Sequence, residues 1–485
     1  MTPTRSWTGD ALLALVADLL PLRRCLTGQG LRQTLARLGE VVPVAVSEVP
    51  SGERVFDWTV PPEWRVREAH IALPGGRRVA EWAASPLHLV QYSRPVRQRM
   101  TFEALRPHLH TLPEQPALVP YRTAYYAEAW GFCLAQRDLD ALADALGETG
   151  EADVLIDADL VDGAMSVGEI VVPGETEDEI LVSAHACHPA LANDNASGLA
   201  VAAALAAERL AGPRRRHTLR VLVAPGTLGA IAWLARNRSR LGRIRHGLVL
   251  SNLGDAGGFT YKLSRRGTLR APLAVDRAVA LAMRDAGEGL DVRPWTPDGY
   301  DERQFGSPGI DLPVGRLTRT PHGEYPEYHT SGDDLSLMRA ASLEGSLRAL
   351  RSILDVLDGD GRFLTLAPFG EPQLGRRGLY APIGGHAHPP EAQAALSWVL
   401  ALADGDHALL DTAERSGLPF ETVRTAADRL LAADLLAPAE AVRESGEPKF
   451  GDGHGRATSD HPTLTDPPFK PQTPTRLPTV APTAR

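Results

Sequence analysis

The sequence has few cysteines, no excess of basic charge and no long apolar run. Cys25, Cys133 and Cys187 form no Cys-x-x-Cys pair, which argues against a disulfide framework and favours a reducing compartment. Asp and Glu number 60 against 51 Lys and Arg, for a net charge of −9, and this balance disfavours a general nucleic-acid binder. No run is long enough to span a bilayer. These absences predict a cytoplasmic protein without a membrane partner.

Length and composition predict several soluble domains. At 485 residues the chain is too long for one core, so two or three domains are expected. The apolar run 11–20 is interrupted by Asp18 and lacks a cleavage-site pattern, so it predicts a core helix and not a signal peptide. A second helix is predicted over 31–38. Residues 45–126 are then rich in β-formers and turn residues, which predicts an inserted β-rich domain with strands near 66–73 and 87–92.

From about residue 152 to 357, predicted strands alternate with predicted helices. This alternation is typical of an α/β domain, a mostly parallel sheet with helices on both faces. Residues 1–44 and 127–365 are assigned to this main domain. The predicted strands are 153–156, 168–172, 180–184, 219–223, 247–251, 261–264 and 312–317, and the predicted helices are 199–210, 228–237, 272–286 and 338–357.

The C-terminal part predicts a small helical module and a tail. Helices are expected at 394–402, 407–415 and 421–431, a pattern that resembles a winged helix over 385–450. Between Asp404 and Asp434 there are seven acidic residues and three arginines, so a phosphate backbone would be repelled. We therefore expect no specific nucleic-acid binding, and a docking role towards a protein partner or a second copy of the chain. Residues 451–485 are rich in Pro and Thr and predict a disordered tail.

Histidine and aspartate cluster between a buried strand and a buried helix. His185, His188 and Asp194 follow the apolar strand 179–183 and precede the helix at 199, the edge where open α/β sheets bind ligands. Imidazole and carboxylate together suit a zinc-type cation. The alternative is a hydrogen-bonded structural histidine beside an ordinary Asn-Asp-Asn turn. A second polar element at 327–334 favours the metal site.

Four segments carry a resemblance to a known family. They read PSGERVFDWTVPPEW from Pro50, HACHPALANDNASG from His185, GYDERQF from Gly299 and EYHTSGDD from Glu327. The chain resembles the zinc aminopeptidase-like proteins related to bacterial leucyl aminopeptidases and glutamate carboxypeptidases. Within them it resembles a largely uncharacterised bacterial subgroup with an inserted β domain and a C-terminal winged helix. The resemblance implies an aminopeptidase-like α/β fold and a zinc site.

By position, the resemblance implies that His185, Asp194 and His329 hold zinc, with one ion favoured. His188 is a rival first ligand because it belongs to the same loop. Cys187 stands where relatives often have an aspartate that orients the ligand histidine, and a thiol is a weaker acceptor for that task. The metal-binding Asp of a second site has only a displaced counterpart, Asp255.

The usual general base is missing. Relatives place a glutamate in the turn after the next strand, where this chain has Gly226. Glu302 and Glu327 are the candidate substitutes for catalysis, although the segment 301–304 can equally be a salt-bridged loop. The residues expected to bind substrate are Tyr300, Asp301, Arg303 and Tyr328.

Two functions remain open. The first is a zinc-dependent aminopeptidase-like hydrolase that cleaves an amide bond of a short peptide or of an N-acyl or amino-modified sugar. The alternative is a catalytically impaired pseudoenzyme that binds a ligand or protein partner through the old cleft, which Gly226 and Cys187 favour. A transcription factor is disfavoured by the acidic winged helix. Turnover of aminoacyl and N-acyl substrates separates the first two.

Overall fold

The structure is a computed structural model that describes residues 7–125, 127–147, 150–379 and 391–440. The predicted tail 451–485 lies outside the described residues. Among the described helices, none has the length and apolar character needed to cross a membrane.

The helices are α1 Gly9–Leu19, α2 Gln29–Gly39, α3 Phe102–Leu105, α4 Gln136–Leu146, α5 Gly198–Ala211, α6 Leu228–Arg236, α7 Ala274–Ala286, α8 Glu302–Phe305, α9 Ala340–Gly359, α10 Glu391–Leu402, α11 Leu409–Ser416 and α12 Phe420–Ala432. The strands are β1 Ala45–Pro50, β2 Arg54–Val55, β3 Trp58–Thr59, β4 Glu63–Ala72, β5 Arg78–Val79, β6 Val96–Thr101, β7 Leu109–His110, β8 Phe132–Cys133, β9 Glu151–Val161, β10 Ala164–Val172, β11 Glu179–His185, β12 Thr218–Ala224, β13 Ile244–Leu250, β14 Phe259–Lys262, β15 Leu290–Arg293, β16 Val314–Thr318, β17 Arg362–Thr365, β18 Asp404–Ala408 and β19 Leu436–Pro438.

An eight-stranded sheet organises the main domain. Its order is β1-β10-β12-β11-β13-β16-β14-β15. The four central strands β12, β11, β13 and β16 run parallel, whereas β10 and β14 join them antiparallel. The α/β fold with helices on both faces is therefore confirmed, with a sheet that is parallel at its centre and mixed towards its edges.

Strand β11 is buried on both faces of this sheet. Ile180, Val182 and Ala184 pack into one core with α1, α5, α7 and α9. Leu181 packs into the other core with α6 and α8. A strand covered on both faces reads as a continuous apolar run, and all seven residues of β11 are buried. The carboxyl end of β11 therefore opens between two layers of helices.

Two strands belong to other sheets than the sequence predicts. Residues 153–156, predicted for the main sheet, lie in β9, which pairs with β4 and β6 in the four-stranded sheet of the inserted domain. Every second residue of β9 from Ala152 to Ala158 is buried, the alternation of an antiparallel strand with one face outside the core. In contrast, β1 falls within the predicted insertion but pairs with β10 at the edge of the main sheet.

One further local prediction, the strand at 87–92, is wrong. The predicted strand 87–92 begins with a 3-10 turn, Pro86–His88, capped by Ser85, and retains only isolated bridges at Leu89 and Gln91. Proline fixes its own φ and removes a donor, which favours the turn over the ladder. The segment 301–304, for which a salt-bridged loop is one of the two interpretations, enters the short helix α8, and its Glu302 is salt-bridged to Lys262 and Arg316.

The C-terminal module is a winged helix, as predicted. Helices α10, α11 and α12 pack with a small sheet of order β18-β17-β19, so the module takes its central strand from residues that precede the predicted boundary. Arg277 on α7 bonds to Asp411 and Glu414 on α11, and Arg424 on α12 donates to the carbonyl of Gly359. These hydrogen bonds join the module to α7 and α9, and its buried apolar side chains share one core with those helices.

Candidate metal centre

The site forms at the carboxyl ends of the parallel strands. His185 is the last residue of β11, and Ala192–Ser197 form a helical turn with irregular backbone at Asp194 that leads into α5. His329 comes from a loop between β16 and α9 and has a left-handed φ of 54°. The sheet therefore brings together side chains that lie far apart in the chain, as the strand-end placement predicts.

Asp194 is the centre of the cluster. Its Oδ1 lies 2.8 Å from Nε2 of His185, and its Oδ2 lies 3.0 Å from Nε2 of His329 and 3.1 Å from Nδ1 of His188. The Asp194 side chain is fully buried, whereas 33% of the His329 side chain is exposed. Three imidazoles thus surround one carboxylate, and the His329 side is the one that solvent reaches.

Asp333 holds the turn that carries Asp194. Its Oδ1 accepts from the backbone N–H of Asn193 at 2.6 Å, and its Oδ2 accepts from that of Asp194 at 3.0 Å. Sequence reasoning missed Asp333 as a site residue, although it belongs to the EYHTSGDD segment. Burial raises the pKa of Asp333 to about 7, since it outweighs the two backbone hydrogen bonds.

The electrostatics of the cluster differ from one histidine to the next. Burial lowers the pKa of His185 and of His329 below the ordinary value. Burial also opposes the charged form of His188, but the charge of Asp194 and its contact with the ring hold the pKa of His188 well above that value. The pKa of Asp194 stays well below the ordinary value despite burial, because His188 and His185 favour its charged form. The carboxylate is therefore ionised and ready to bind a cation.

Aromatic rings fix the imidazoles. Tyr300 stacks on His185 with ring centroids 4.4 Å apart, and Tyr328 stacks on His329 at 3.9 Å. The Tyr300 hydroxyl also donates to Oδ2 of Asp194 at 2.7 Å and lies 2.9 Å from the Tyr328 hydroxyl. Two of the predicted substrate-binding residues thus wall the cluster.

A third tyrosine comes from the inserted domain. Tyr121 meets the rings of His188 and His329 edge-on, each at 5.1 Å, and its backbone N–H donates to the His329 carbonyl at 2.8 Å. Val119 exchanges hydrogen bonds with Ser331 next to it. We call residues 119–121 the strap. Nothing in the sequence near Tyr121 marked it as a site residue.

The donor set fits a zinc ion. Ligand atoms of His185, His188 and Asp194 all lie within 4.8 Å of one another. The buried Nδ1 of His188 has no well-directed hydrogen bond among the described residues. Two or three imidazoles with one carboxylate form a usual zinc ligand set. The geometry brings His188 into the cluster beside the predicted ligands His185, Asp194 and His329.

Asp255 is engaged elsewhere. Its Oδ1 accepts from the Thr320 hydroxyl at 2.6 Å and from the Gly257 N–H at 2.7 Å. Its Oδ2 accepts from the side-chain amide of Asn193 at 2.9 Å. These contacts make Asp255 a support of the turn that holds Asp194, one step removed from the imidazoles.

The turn at Gly226, where relatives have a glutamate, packs directly against His185. A side chain added at Gly226 would place its Cβ 3.5 Å from Cβ of His185 and 3.3 Å from Sγ of Cys187. The Cys187 sulfur accepts from the Gly226 N–H at 3.2 Å, so it supports this turn. The next residue, Thr227, donates its backbone N–H to Oδ1 of Asp301 at 2.7 Å. Asp301 therefore brings a carboxylate to the turn that lacks one in sequence.

The other predicted acidic and basic residues occupy different surroundings. Oε1 of the fully buried Glu302 lies 3.1 Å from Nζ of Lys262 and 3.2 Å from a guanidinium nitrogen of Arg316. Glu327 is half-buried, with its side chain against Gly332. Arg303 is half-buried, and its Nε has no hydrogen-bond partner among the described residues. Glu302 is thus neutralised by cations, and neither glutamate contacts Asp194 within the described residues.

Comparisons with known proteins agree with this architecture. A family described as a domain of unknown function, DUF4910, matches residues 13–360, and a winged helix-turn-helix family matches residues 362–438. A Clostridium acetobutylicum protein, provisionally named a polysaccharide biosynthesis protein with an aminopeptidase-like domain, is 39% identical over 431 residues, or 89% of this chain and 97% of the relative.

Solved structures extend the comparison. A crystal structure from Clostridium acetobutylicum, provisionally assigned as a peptidase, matches with a TM-score of 0.81 at 37% identity, over 89% of this chain and 96% of that one. The zinc aminopeptidase BSAP of Bacillus subtilis has a TM-score of 0.51 at 13% identity, over 72% and 95% of the two chains. A peptidase M28 precursor from Shewanella amazonensis SB2B has a TM-score of 0.51 at 15% identity, over 73% and 94%. The last two likenesses show the fold alone. The chain belongs to the DUF4910 family, with an aminopeptidase-like fold and a C-terminal winged helix.

Proposed function

We propose that this protein is a zinc-dependent hydrolase that cleaves an amide bond of a short peptide or of an N-acyl or amino-modified sugar. One observation carries the proposal: a fully buried, ionised carboxylate, Asp194, is surrounded by nitrogens of three histidines at 2.8–3.1 Å. Burial lowers the pKa of His185 and of His329, so both imidazoles favour the neutral form that binds zinc, and a cation shared with the ionised carboxylate accounts for the arrangement.

His185, Asp194 and His329 would hold one zinc ion, with His188 available as a further ligand. A bound zinc ion supplies Lewis-acid chemistry, because it polarises a carbonyl and lowers the pKa of water. The protein contributes the orientation of the ligands. Tyr300 and Tyr328 stack on two of the imidazoles and fix their orientation, while the exposed part of His329 is the side that substrate would reach.

Asp301 is the proton acceptor that this arrangement favours. Its carboxylate is bound to the turn that lies on His185, and the adjacent Tyr300 bonds to Asp194. Burial raises the pKa of Asp301 to about 7, which suits a group that both accepts and donates a proton near neutral pH. Oδ2, the oxygen that the Thr227 N–H does not contact, would take a proton from the attacking water and return it to the leaving nitrogen.

This assignment favours a hydrolase over the pseudoenzyme. Gly226 removes the carboxylate from one position in sequence, but the fold supplies another at the same turn. Glu302 is less suited to the role, because Lys262 and Arg316 occupy its Oε1 and the Tyr300 N–H occupies its Oε2. The substrate's chemical type rests on the fold and on the resemblance described above.

The test is metal content measured together with turnover. Purified wild-type protein, His329→Ala and the control His407→Ala are loaded with zinc, desalted and assayed for bound metal and for hydrolysis of aminoacyl and N-acyl amides. His407 pairs with Asp404 at 2.8 Å in the winged helix, so the control removes a His–Asp contact outside the cluster. We expect stoichiometric zinc in the wild type and control and its loss in His329→Ala. Full zinc retention by His329→Ala, or zinc without turnover of either substrate type, would overturn the proposal.

A further inference from the structure

A buried group of cations lies beside the candidate metal centre and is joined to it through Tyr300. Lys262 on β14 and Arg316 on β16 are directly opposite each other in the antiparallel register. Their side chains are only 4% and 6% exposed. Like charges opposite each other in a sheet are destabilising, so this pair requires compensation.

Glu302 compensates one of the two charges. A single oxygen, Oε1, contacts both Lys262 and Arg316, and the second, Oε2, accepts from the backbone N–H of Tyr300 at 3.1 Å. His322 lies 3.0 Å from Arg316, and burial together with the Arg316 charge lowers its pKa, so it is neutral. The carboxylate of Asp298 is exposed to solvent, where its charge is screened. The contacts among these residues leave one positive charge in excess.

Arg316 also has hydrogen-bonding capacity to spare. Only 5% of Arg316 is exposed to solvent, yet its Nε–H has no partner among the described residues. A buried donor left unpaired is costly, and a guanidinium binds a carboxylate with particular strength. Gly299 borders the group with a φ of +112°, and a Cβ there would approach Oε1 of Glu302 to 2.3 Å. A side chain at this position would clash with the charged group, so the glycine lets the backbone pass close to it.

The group lies one tyrosine side chain away from the metal centre. The backbone of Tyr300 bonds to Glu302, and its hydroxyl bonds to Asp194. His322 contacts the ring of Tyr300 with centroids 5.2 Å apart. A substrate with its scissile bond at Asp194 would therefore bring its next substituent towards Arg316.

We propose that Lys262 and Arg316 form a subsite for a carboxylate of the substrate, close to the bond that is cleaved. The inference rests on the proposed function for the position of that bond. The carboxylate has two possible sources, the C-terminus of a short peptide or the acid group of an N-acylated uronic sugar. Neutral substrates lack the group that would balance the excess charge.

The experiment compares matched ligands on zinc-loaded, full-length protein. Leucyl-glycine is compared with its C-terminal amide, and N-acetylglucosaminuronic acid with N-acetylglucosamine, by calorimetric binding and by turnover. We expect one acid to bind roughly ten- to a hundredfold more tightly than its neutral partner, as a charge-assisted contact implies. The pair that shows the preference identifies the source, and equal affinity within both pairs would overturn the subsite.

Variants locate the effect. Arg316→Met leaves the Lys262–Glu302 pair neutral and is expected to abolish the preference, whereas Arg316→Lys retains part of it. Arg293→Met is the control, because Arg293 is neutralised by Asp291 and Glu324. A folded Arg316→Met protein that keeps the preference would refute the assignment. If the protein prefers the acid but turns over neither substrate, the proposed hydrolase is contradicted and the subsite is supported. If it turns over substrate without preferring the acid, the subsite is contradicted and the hydrolase is supported.

Discussion

Replacing Asp301 with asparagine tests the assigned proton acceptor through stability as well as activity. The substitution conserves shape, and the asparagine Oδ1 can still accept from the Thr227 N–H that now bonds to Asp301. It removes the ability to ionise. Because the side chain is 1% exposed, the variant differs from the wild type mainly in the charge that burial disfavours.

The size of the effect follows from the pKa of Asp301. Burial raises it from 3.8 to about 7, so between these values the folded chain holds a proton that the unfolded chain releases. The free energy of unfolding of the wild type therefore falls as pH rises through this window, and it levels off above pH 7. Each pH unit corresponds to about 1.4 kcal/mol. Between pH 5 and pH 8 the wild type should lose about 2–3 kcal/mol that Asp301→Asn keeps.

The assay is urea unfolding of chelator-treated protein at pH 5, 6, 7 and 8. Asp333 has a similarly raised pKa, but it is present in both proteins and cancels in the difference. Asp138→Asn, at an exposed position, serves as the control and should follow the wild type. In the zinc-loaded protein, Asp301→Asn should reduce kcat by about 10²–10⁴-fold. Parallel stability curves for wild type and Asp301→Asn would refute the raised pKa, and unchanged kcat would refute the catalytic role.

Three further outcomes are expected. His188→Ala should lower zinc affinity measured by chelator competition, since His188 belongs to the tight ligand group; unchanged affinity would leave three ligands. Arg277→Ala should destabilise docking of the winged helix by about 1 kcal/mol, because the variant loses the contacts to α11. Hydrogen exchange of the α11 amides should then become faster, and unaltered exchange would contradict the prediction. The full chain should not bind duplex DNA in a fluorescence-anisotropy titration, because the winged helix is acidic and the Phe420 N–H at the start of α12 donates to Asp285. Sequence-selective, salt-sensitive binding would contradict this prediction.

The sequence predicted the centre of the site because strand ends mark it. His185 follows an apolar run long enough to identify β11, and parallel strands share one edge, so convergence with Asp194 and His329 could be expected. Asp301 and Glu302 show the limit of this reasoning. They are neighbours in an acidic segment, and only the fold decides that one contacts Thr227 while the other contacts Lys262 and Arg316.

Long-range contacts were the part that could not be predicted. The strap that carries Tyr121 has no local pattern that links it to His329. Asp255 was a plausible ligand by its position after β13, but its hydrogen bonds to Thr320 and Gly257 direct it elsewhere. Strand β9 was placed in the wrong sheet because alternation in a short window does not reveal the partner strand.

The strap also bears on how the protein folds. His185 and Asp194 are only nine residues apart in the chain, so their pairing requires little loop closure. The contact between Val119 and Ser331 closes a separation of 212 residues, and such non-local contacts form slowly. During synthesis, His329 emerges long after the inserted domain that positions it. The last ligand can therefore take its place only once both regions have been made and have docked, which delays assembly of the complete site until nearly the whole main domain is synthesised.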